Sequence, residues 1–250
     1  MKWACAIAAF AALGAEAIGT SSAAQAFTLG RPDGGHLSRE DVLDHAVALQ
    51  GATGLPVSAD CENGFGPSPA DCAETVAIAA ARGLAGLSIE DIGFPEARPY
   101  PFDQAVARIA AAVETARAAP DAIVLVARAD GVMTGQYDLE EGVRRIQAFA
   151  EAGADCVYIP VPPDMDAVRR ICAAVDVPVN VLAVGLLTQV PIAELAEAGV
   201  ARISLGSARA RHTHRAMGDA ARSVLGGDFG PLAHSIAGSE VDALLERGKA

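Results

Sequence analysis

From residue 17 to residue 224 the chain alternates short strand-like runs with Ala-rich helical stretches, about seven times over. That rhythm points to a parallel α/β architecture. Strands are predicted at 17–21, 56–60, 86–89, 123–128, 156–159, 179–183 and 202–205. Helices are predicted at 38–51, 68–83, 102–118, 139–152, 164–175, 191–198 and 207–224, with a short helix near 241–247. Ser38-Arg39-Glu40-Asp41 has the form of a capping box, and Ser68-Pro69 sets an N-cap before a proline at the first helical position. Residues 123–127 form an unbroken apolar run, as a parallel strand covered on both faces requires. No linker, low-complexity segment or charge block divides the chain, so residues 1–250 are read as one domain.

Such a sheet can close into a barrel or stay open and doubly wound. Thr20, Asp60, Glu90, Arg128 and Asn180 each fall where a predicted strand ends and its loop begins. In a barrel those ends meet around one mouth, whereas an open sheet gathers its ligand at one switch point. The distribution favours the barrel. No G-x-G-x-x-G or P-loop follows the first strand to support a nucleotide fold. Hydrophobic residues at 52% suffice for a large core, and aromatics at 4% suit helices packed closely through alanine. Nineteen basic against 31 acidic residues leave a net charge of −12, which argues against a nucleic-acid surface. An anionic small substrate remains compatible, since one arginine or a bound cation reverses the field locally. Outside the N-terminus no apolar run is long enough to span a bilayer.

The N-terminus has two readings. Lys2, the apolar stretch 3–14 and Ala15-Glu16-Ala17 contain the parts of a secretory signal. The same residues fit an Ala-rich helix over 3–13, with Gly14 at its end, feeding the strand at 17–21. The five cysteines, Cys5, Cys61, Cys72, Cys156 and Cys172, are odd in number and form no C-x-x-C pair, which suits a reducing compartment. The helical, cytoplasmic reading is favoured.

Asp60-Cys61-Glu62 is the first chemical candidate. On an extended segment residues two apart share a side, so both carboxylates face one point while Cys61 turns away into packing. Glu90-Asp91 ends the next strand. Acids converging on one mouth repel one another unless a cation or a proton relieves them, and hard oxygen donors suit Mg2+. Each alone reads as a solvated loop acid; together, at successive strand ends, they favour a metal site. Arg128 closes an apolar strand and needs an anion, either a substrate carboxylate or an internal acid such as Glu90. Thr20-Ser21-Ser22 offers hydroxyls and backbone N–H groups to a carboxylate, although alone it also reads as a Ser-rich turn. His36, His45, His212, His214 and His234 show no zinc spacing, and His212 and His214 are expected at the surface. No serine occupies a G-x-S-x-G elbow.

The stretch LPVSADCENGFG at 55–66 resembles the signature of the isocitrate lyase/phosphoenolpyruvate mutase superfamily. Further segments agree in order: Gly19-Thr20-Ser21-Ser22, Leu29-Gly30-Arg31-Pro32-Asp33, Ile89-Glu90-Asp91, Ala127-Arg128-Ala129-Asp130, and the segments 178–183 and 203–207. The resemblance implies a (β/α)8 TIM barrel with a C-terminal helical tail. It also implies a homo-oligomer, dimer or tetramer, in which the last helix is exchanged between neighbours. Its members bind Mg2+ and a 2-oxo or 2-hydroxy acid, and they cleave or rearrange C–C or P–C bonds through an enolate-like species. Carried over by position, Asp60, Glu62 and Glu90 match the metal-site acids. Thr20, Ser21 and Ser22 match the segment that holds the substrate carboxylate. Arg128 matches the substrate-binding arginine, Asp33 the aspartate of a mobile loop that closes over the site, and Asn180 a site-facing position on the seventh strand.

Two departures matter. The lyases of this superfamily carry Lys-Arg-Cys-Gly after the Ile-Glu-Asp strand, and the mutases carry Lys and Asn in the same loop. This chain has Gly93-Phe94-Pro95-Glu96-Ala97-Arg98-Pro99 there, and Ile159-Pro160-Val161-Pro162 where lyases have a Glu and mutases a His. At the N-terminus, Trp3-Ala4 stands for the Trp-Asp junction that follows the family's first strand, so a barrel lacking that strand is expected unless the true start lies upstream. An open seam exposes unpaired strand edges. The expected activity is Mg2+-dependent C–C cleavage of a small 2-oxo- or 2-hydroxy(di)carboxylate. The alternatives are P–C chemistry of the phosphonomutase or phosphonopyruvate hydrolase kind, or a catalytically degenerate barrel that only binds a ligand. The expected partners are a small carboxylate and further copies of the chain, with neither nucleic acid nor membrane.

Overall fold

The computed structural model describes residues 4–249. In chain order the elements are α1 (Ala4–Ala12), β1 (Ile18–Gly19), α2 (Ser22–Thr28), α3 (Arg39–Thr53), β2 (Val57–Asp60), α4 (Pro69–Ala81) and β3 (Gly86–Glu90). A short hairpin, β4 (Ile92–Gly93) and β5 (Arg98–Pro99), precedes α5 (Phe102–Ala118), β6 (Val124–Arg128), α6 (Leu139–Glu151) and β7 (Cys156–Tyr158). Then come α7 (Met165–Ala173), β8 (Val179–Leu182), α8 (Ile192–Glu197), β9 (Arg202–Ser204), α9 (Ala208–Leu225) and α10 (Gly238–Arg247).

Seven strands form one parallel sheet in the order β1-β2-β3-β6-β7-β8-β9, which curls into a nearly closed barrel. The register carries Glu90 beside Arg128, Arg128 beside Tyr158, Tyr158 beside Asn180, and Asn180 beside Arg202. Among the described residues β1 and β9 are the sheet's two edges, as the expected seam requires. The gap is bridged by a side chain: Nη2 of Arg202 on β9 lies 3.6 Å from the position a Cβ on Gly19 would take.

The local reasons are those the sequence announces. Ser38 and Ser68 both close reciprocal capping boxes, with Asp41 and Asp71 at the third helical positions. Along β6 the side chains alternate: Leu125 and Ala127 join the large core beneath the helices, with Leu43, Ile89, Ile109, Phe149 and Val157. Val126 turns the other way, into the barrel, where it meets Cys156 and Tyr158. Burial raises the Cys156 thiol to about 11.

Three regions differ from expectation. The strand at 17–21 shrinks to two residues, because Ser21 caps α2 by accepting from the Ala24 amide at 3.4 Å; the hydroxyl run is a helix start. The segment 93–99 folds back as an antiparallel hairpin, in which Gly93 pairs with Arg98. The helix at 3–13 is present as α1, packed against α3 and α10, while Lys2 and Trp3 lie outside the described residues. That packing rests on Gly248, where a Cβ would fall 1.7 Å from the Ala8 carbonyl oxygen. No helix among the described residues is long and apolar enough to cross a membrane.

Candidate active site

Strand ends β1, β2, β3 and β6 converge on Arg128. Its guanidinium meets Asp60 at 2.9 Å, Glu90 at 3.2 Å and Asp130 at 2.6 Å, and its flat face lies 5.1 Å from the Tyr158 ring. Arg128 is 14% exposed, Glu90 8% and Asp130 1%, so these charges interact away from bulk water. Of the two anions Arg128 was expected to seek, the structure supplies the internal one, in triplicate. Asp130 is the member that sequence reasoning passed over. Its signal was present, since it follows Arg128 by two residues.

Asp60 is the hub. Ser22 donates to its Oδ2 through both backbone N–H and hydroxyl, each at 2.9 Å, and Ser88 donates to Oδ1 at 3.3 Å. The Asp60 amide donates to the Thr20 hydroxyl at 2.8 Å, which ties the end of β1 to the end of β2. Thr20 and Ser22 thus join the predicted site through Asp60, whereas Ser21 spends its hydroxyl on the α2 cap.

Glu62 reaches the same neighbourhood by a different route from the predicted one. The strand stops at Asp60 and Glu62 sits at a positive φ of 45°, so strand alternation does not carry its side chain. Instead its Oε1 accepts from the Gly35 amide at 3.0 Å. Burial, with Asp60 and Asp33 nearby, pushes its pKa up. Cys61 is buried, as the packing reading expects, and its thiol is held well above its ordinary value.

Gly35 belongs to the loop that carries Asp33. The loop is latched over the mouth by the Glu62 contact and by Phe94 of the hairpin. A Cβ at Gly35 would stand 2.6 Å from the Phe94 Cβ, and its φ is +72°, so only glycine fits this approach. Asp33 is exposed as a residue. Partial desolvation and the neighbouring Asp60 nevertheless raise its carboxyl's pKa.

Glu90 is raised well above the ordinary glutamate range, by burial first and then by Asp130. Asp91 turns to the other side, accepting from the Asp130 amide, the Tyr137 hydroxyl and Arg145 at 2.8, 2.8 and 2.9 Å, and so shapes the loop after β6. Beneath both acidic segments lies Arg108, fully buried, which donates to the carbonyls of Glu90 at 3.2 Å, Gly66 at 3.3 Å and Asn63. Asn180 is 2% exposed and donates to the Ser204 hydroxyl at 2.9 Å. Its Oδ1 is buried and has no partner.

Among the described residues no three acids, histidines or cysteines converge closely enough to grip one ion, because the guanidinium stands between Asp60, Glu90 and Asp130. His212 and His214 are exposed, as expected.

A barrel mouth with this set of acids around one strand-end arginine defines a class, that of the isocitrate lyase/phosphoenolpyruvate mutase superfamily. The phosphoenolpyruvate phosphomutase family profile matches residues 4–225, and the chain belongs to that family. A Burkholderia cenocepacia structure assigned as a lyase/mutase is 40% identical, with a TM-score of 0.90 over 96% of this chain and 86% of that one. The crystal structure of 2,3-dimethylmalate lyase is 25% identical, with a TM-score of 0.83 over 97% and 86% of the two chains. Oxaloacetate decarboxylase from Chromohalobacter salexigens is 30% identical over 75% of this chain, which spans about two thirds (65%) of that enzyme. The relatives whose activity is named include lyases and mutases.

Proposed function

We propose that the chain is a Mg2+-dependent lyase that cleaves a C–C bond of a small 2-oxo- or 2-hydroxy(di)carboxylate. One observation carries this reading. Five carboxylates, Asp33, Asp60, Glu62, Glu90 and Asp130, gather at one mouth where Arg128 pairs with three of them, and Asp33, Glu62 and Glu90 are all pushed toward the protonated form. That deficit of positive charge, lined by hard oxygen donors, fits a small dication. Asp60, Glu62 and Glu90 would hold it partly through bound water, since they do not converge on one point while the Arg128 guanidinium stands between them, with Asp33 closing from the loop. When bound, Mg2+ supplies Lewis-acid polarisation of the substrate's 2-oxygen.

The chain's own groups do the rest. Arg128, relieved of part of its acid load, donates to the oxygen on which enolate charge develops. Thr20, Ser21 and Ser22 would hold the substrate carboxylate: the Ser21 hydroxyl accepts the α2 cap bond and keeps its own proton to donate, whereas Ser22 turns its donors to the substrate only on releasing Asp60. Asn180, whose buried Oδ1 has no partner, would accept from a substrate hydroxyl once the site admits the substrate. The loop of Asp33, latched on Glu62 and Phe94, keeps water from the carbanionic product. C–C rather than P–C chemistry is favoured because the hairpin 93–99 carries neither the Lys nor the Asn of the mutases.

The test is turnover with Mg2+ on a panel of oxaloacetate, alkylmalates, methylisocitrate and phosphonopyruvate. Pyruvate or the corresponding keto acid is expected from a C–C substrate, with loss on Asp60→Ala. Phosphate released from phosphonopyruvate instead would establish P–C chemistry. Tight oxalate binding without any turnover would establish a ligand-binding barrel, a reading favoured by the absence of the lyase Cys from the hairpin.

The same reading includes a homo-oligomer. The second half of α9 and the segment after it expose Met217, Leu225 and Phe229, at 63%, 87% and 65%, while the first half of α9 faces the chain's own Phe27 through His214 and α10 packs on α1. An apolar strip of that kind is what an exchanged helix presents to a second copy.

A further inference from the structure

A cavity of about 470 Å3 lies outside the barrel mouth, between the start of the Asp33 loop and α9, lined by Phe27, Gly30, Arg31, Pro32, Arg211 and His214. No acid lines it. Arg31 contacts the His36 carbonyl at 3.0 Å and Asp41 at 3.4 Å, both through one nitrogen, Nη1, which leaves Nε and Nη2 uncommitted. Among the described residues the Arg211 side chain has neither a hydrogen bond nor an ion pair. The His214 ring stands edge-on to Phe27 with centroids 5.9 Å apart, and its Nδ1 faces the Ala210 carbonyl at 2.7 Å. Its Nε2 is therefore the nitrogen left for a ligand. Phe27 and Pro32 complete the wall with apolar surface.

In a chain of net charge −12, two guanidiniums and an imidazole with no acid in the cavity wall, and only Asp41 on one nitrogen of Arg31, make a local reversal of field. Along α9 five basic residues, Arg209, Arg211, His212, His214 and Arg215, precede the first acid, Asp219. Arg31 and Pro32 lead directly into Asp33, whose loop is latched on its far side by Glu62 and Phe94. One face of the loop thus touches the mouth and the other this cavity.

We propose that the cavity is an anion site for a small phosphate- or carboxylate-bearing metabolite with an apolar flank. The bound anion ties Arg31 to Arg211 and so holds the Asp33 loop closed. A ligand that binds only the closed loop shifts it by RT ln(1 + [L]/Kd), with no contact to the reacting atoms. The site does not depend on the proposed reaction, and its test reads binding and loop exchange rather than turnover.

The experiment is calorimetric titration with inorganic phosphate at constant ionic strength, paired with amide hydrogen exchange over residues 29–37. Saturable binding is expected, at least tenfold weaker in R211A/H214A, with exchange of 29–37 slowed severalfold by phosphate in the wild type alone. Both residues are exposed, so the double variant should keep the wild-type melting temperature without phosphate. R211E provides a second variant, which should repel the anion. Tighter binding of phenyl phosphate supports a phosphate ester as ligand, and tighter binding of succinate supports a dicarboxylate. Failure of all three probes to bind, undiminished binding in R211A/H214A and R211E, or binding that leaves exchange unchanged would each overturn the proposal.

Discussion

Arg128 concentrates the chemistry of the mouth in one side chain. Replacing it with alanine strands Asp60, Glu90 and Asp130 with no counter-charge in a largely buried place. The expected cost is about 3–5 kcal/mol in urea unfolding, together with loss of turnover. Arg108 makes a sharper test of positioning, because it binds backbone carbonyls and touches no carboxylate of the mouth. Arg108→Ala leaves carbonyls of Asn63, Gly66 and Glu90 without their donor, and about 3 kcal/mol of destabilisation should follow in the same measurement. At this scale the sequence was informative but incomplete. Asp60, Glu90 and Arg128 were legible because strand ends are. Asp130 was overlooked although spacing alone pointed to it. Glu62 was identified by an alternation argument that fails at its positive φ, and only the approach of Gly35 accounts for its position.

The helices carry their own testable chemistry. Ser38→Ala and Ser68→Ala each remove an N-cap acceptor, which should cost about 1 kcal/mol and lower Tm by about 2–4 °C per substitution. Their box partners respond to pH. Asp41 is lowered by the Ser38 backbone amide and then its hydroxyl, and Asp71 by the Ser68 hydroxyl and then its amide. Depressed carboxylates stabilise the fold above their ordinary value of 3.8 and lose that contribution as pH falls through the depressed one. A D41N/D71N variant should therefore melt below the wild type at pH 6, with the difference closing progressively below pH 4 in a thermal series. The elements with strong local signals were legible: capped helices and the apolar run of β6. The short helix α2 and the hairpin β4–β5 were not. Seven residues after a serine run and two-residue strands carry too little periodicity to be read, and tertiary contacts decide them.

For the whole molecule, the exposed apolar strip of the C-terminal segment sets the clearest expectation. Light scattering should report a dimer or tetramer, and Leu225→Asp with Phe229→Asp should shift it toward the monomer while leaving the barrel's far-ultraviolet signal intact. A monomeric wild type would remove the exchanged helix from the proposal. The barrel core has a separate measure: Phe149→Ala, fully buried between sheet and helices, should cost about 3–5 kcal/mol.

The sequence by itself determined the parallel barrel and the ring of acids with one arginine at its mouth. Periodicity, caps and strand-end polarity are local properties, and each is written within a few neighbouring residues. Only the tertiary structure decided how those charges are paired. Arg128 is claimed by three internal acids, Glu62 is held by a loop amide 27 residues away in sequence, and the buried Asn180 acceptor is without a partner. The anion cavity, too, exists only because the Asp33 loop and α9 meet in space. Pairing depends on distance and burial between segments remote in sequence, and no local pattern encodes either.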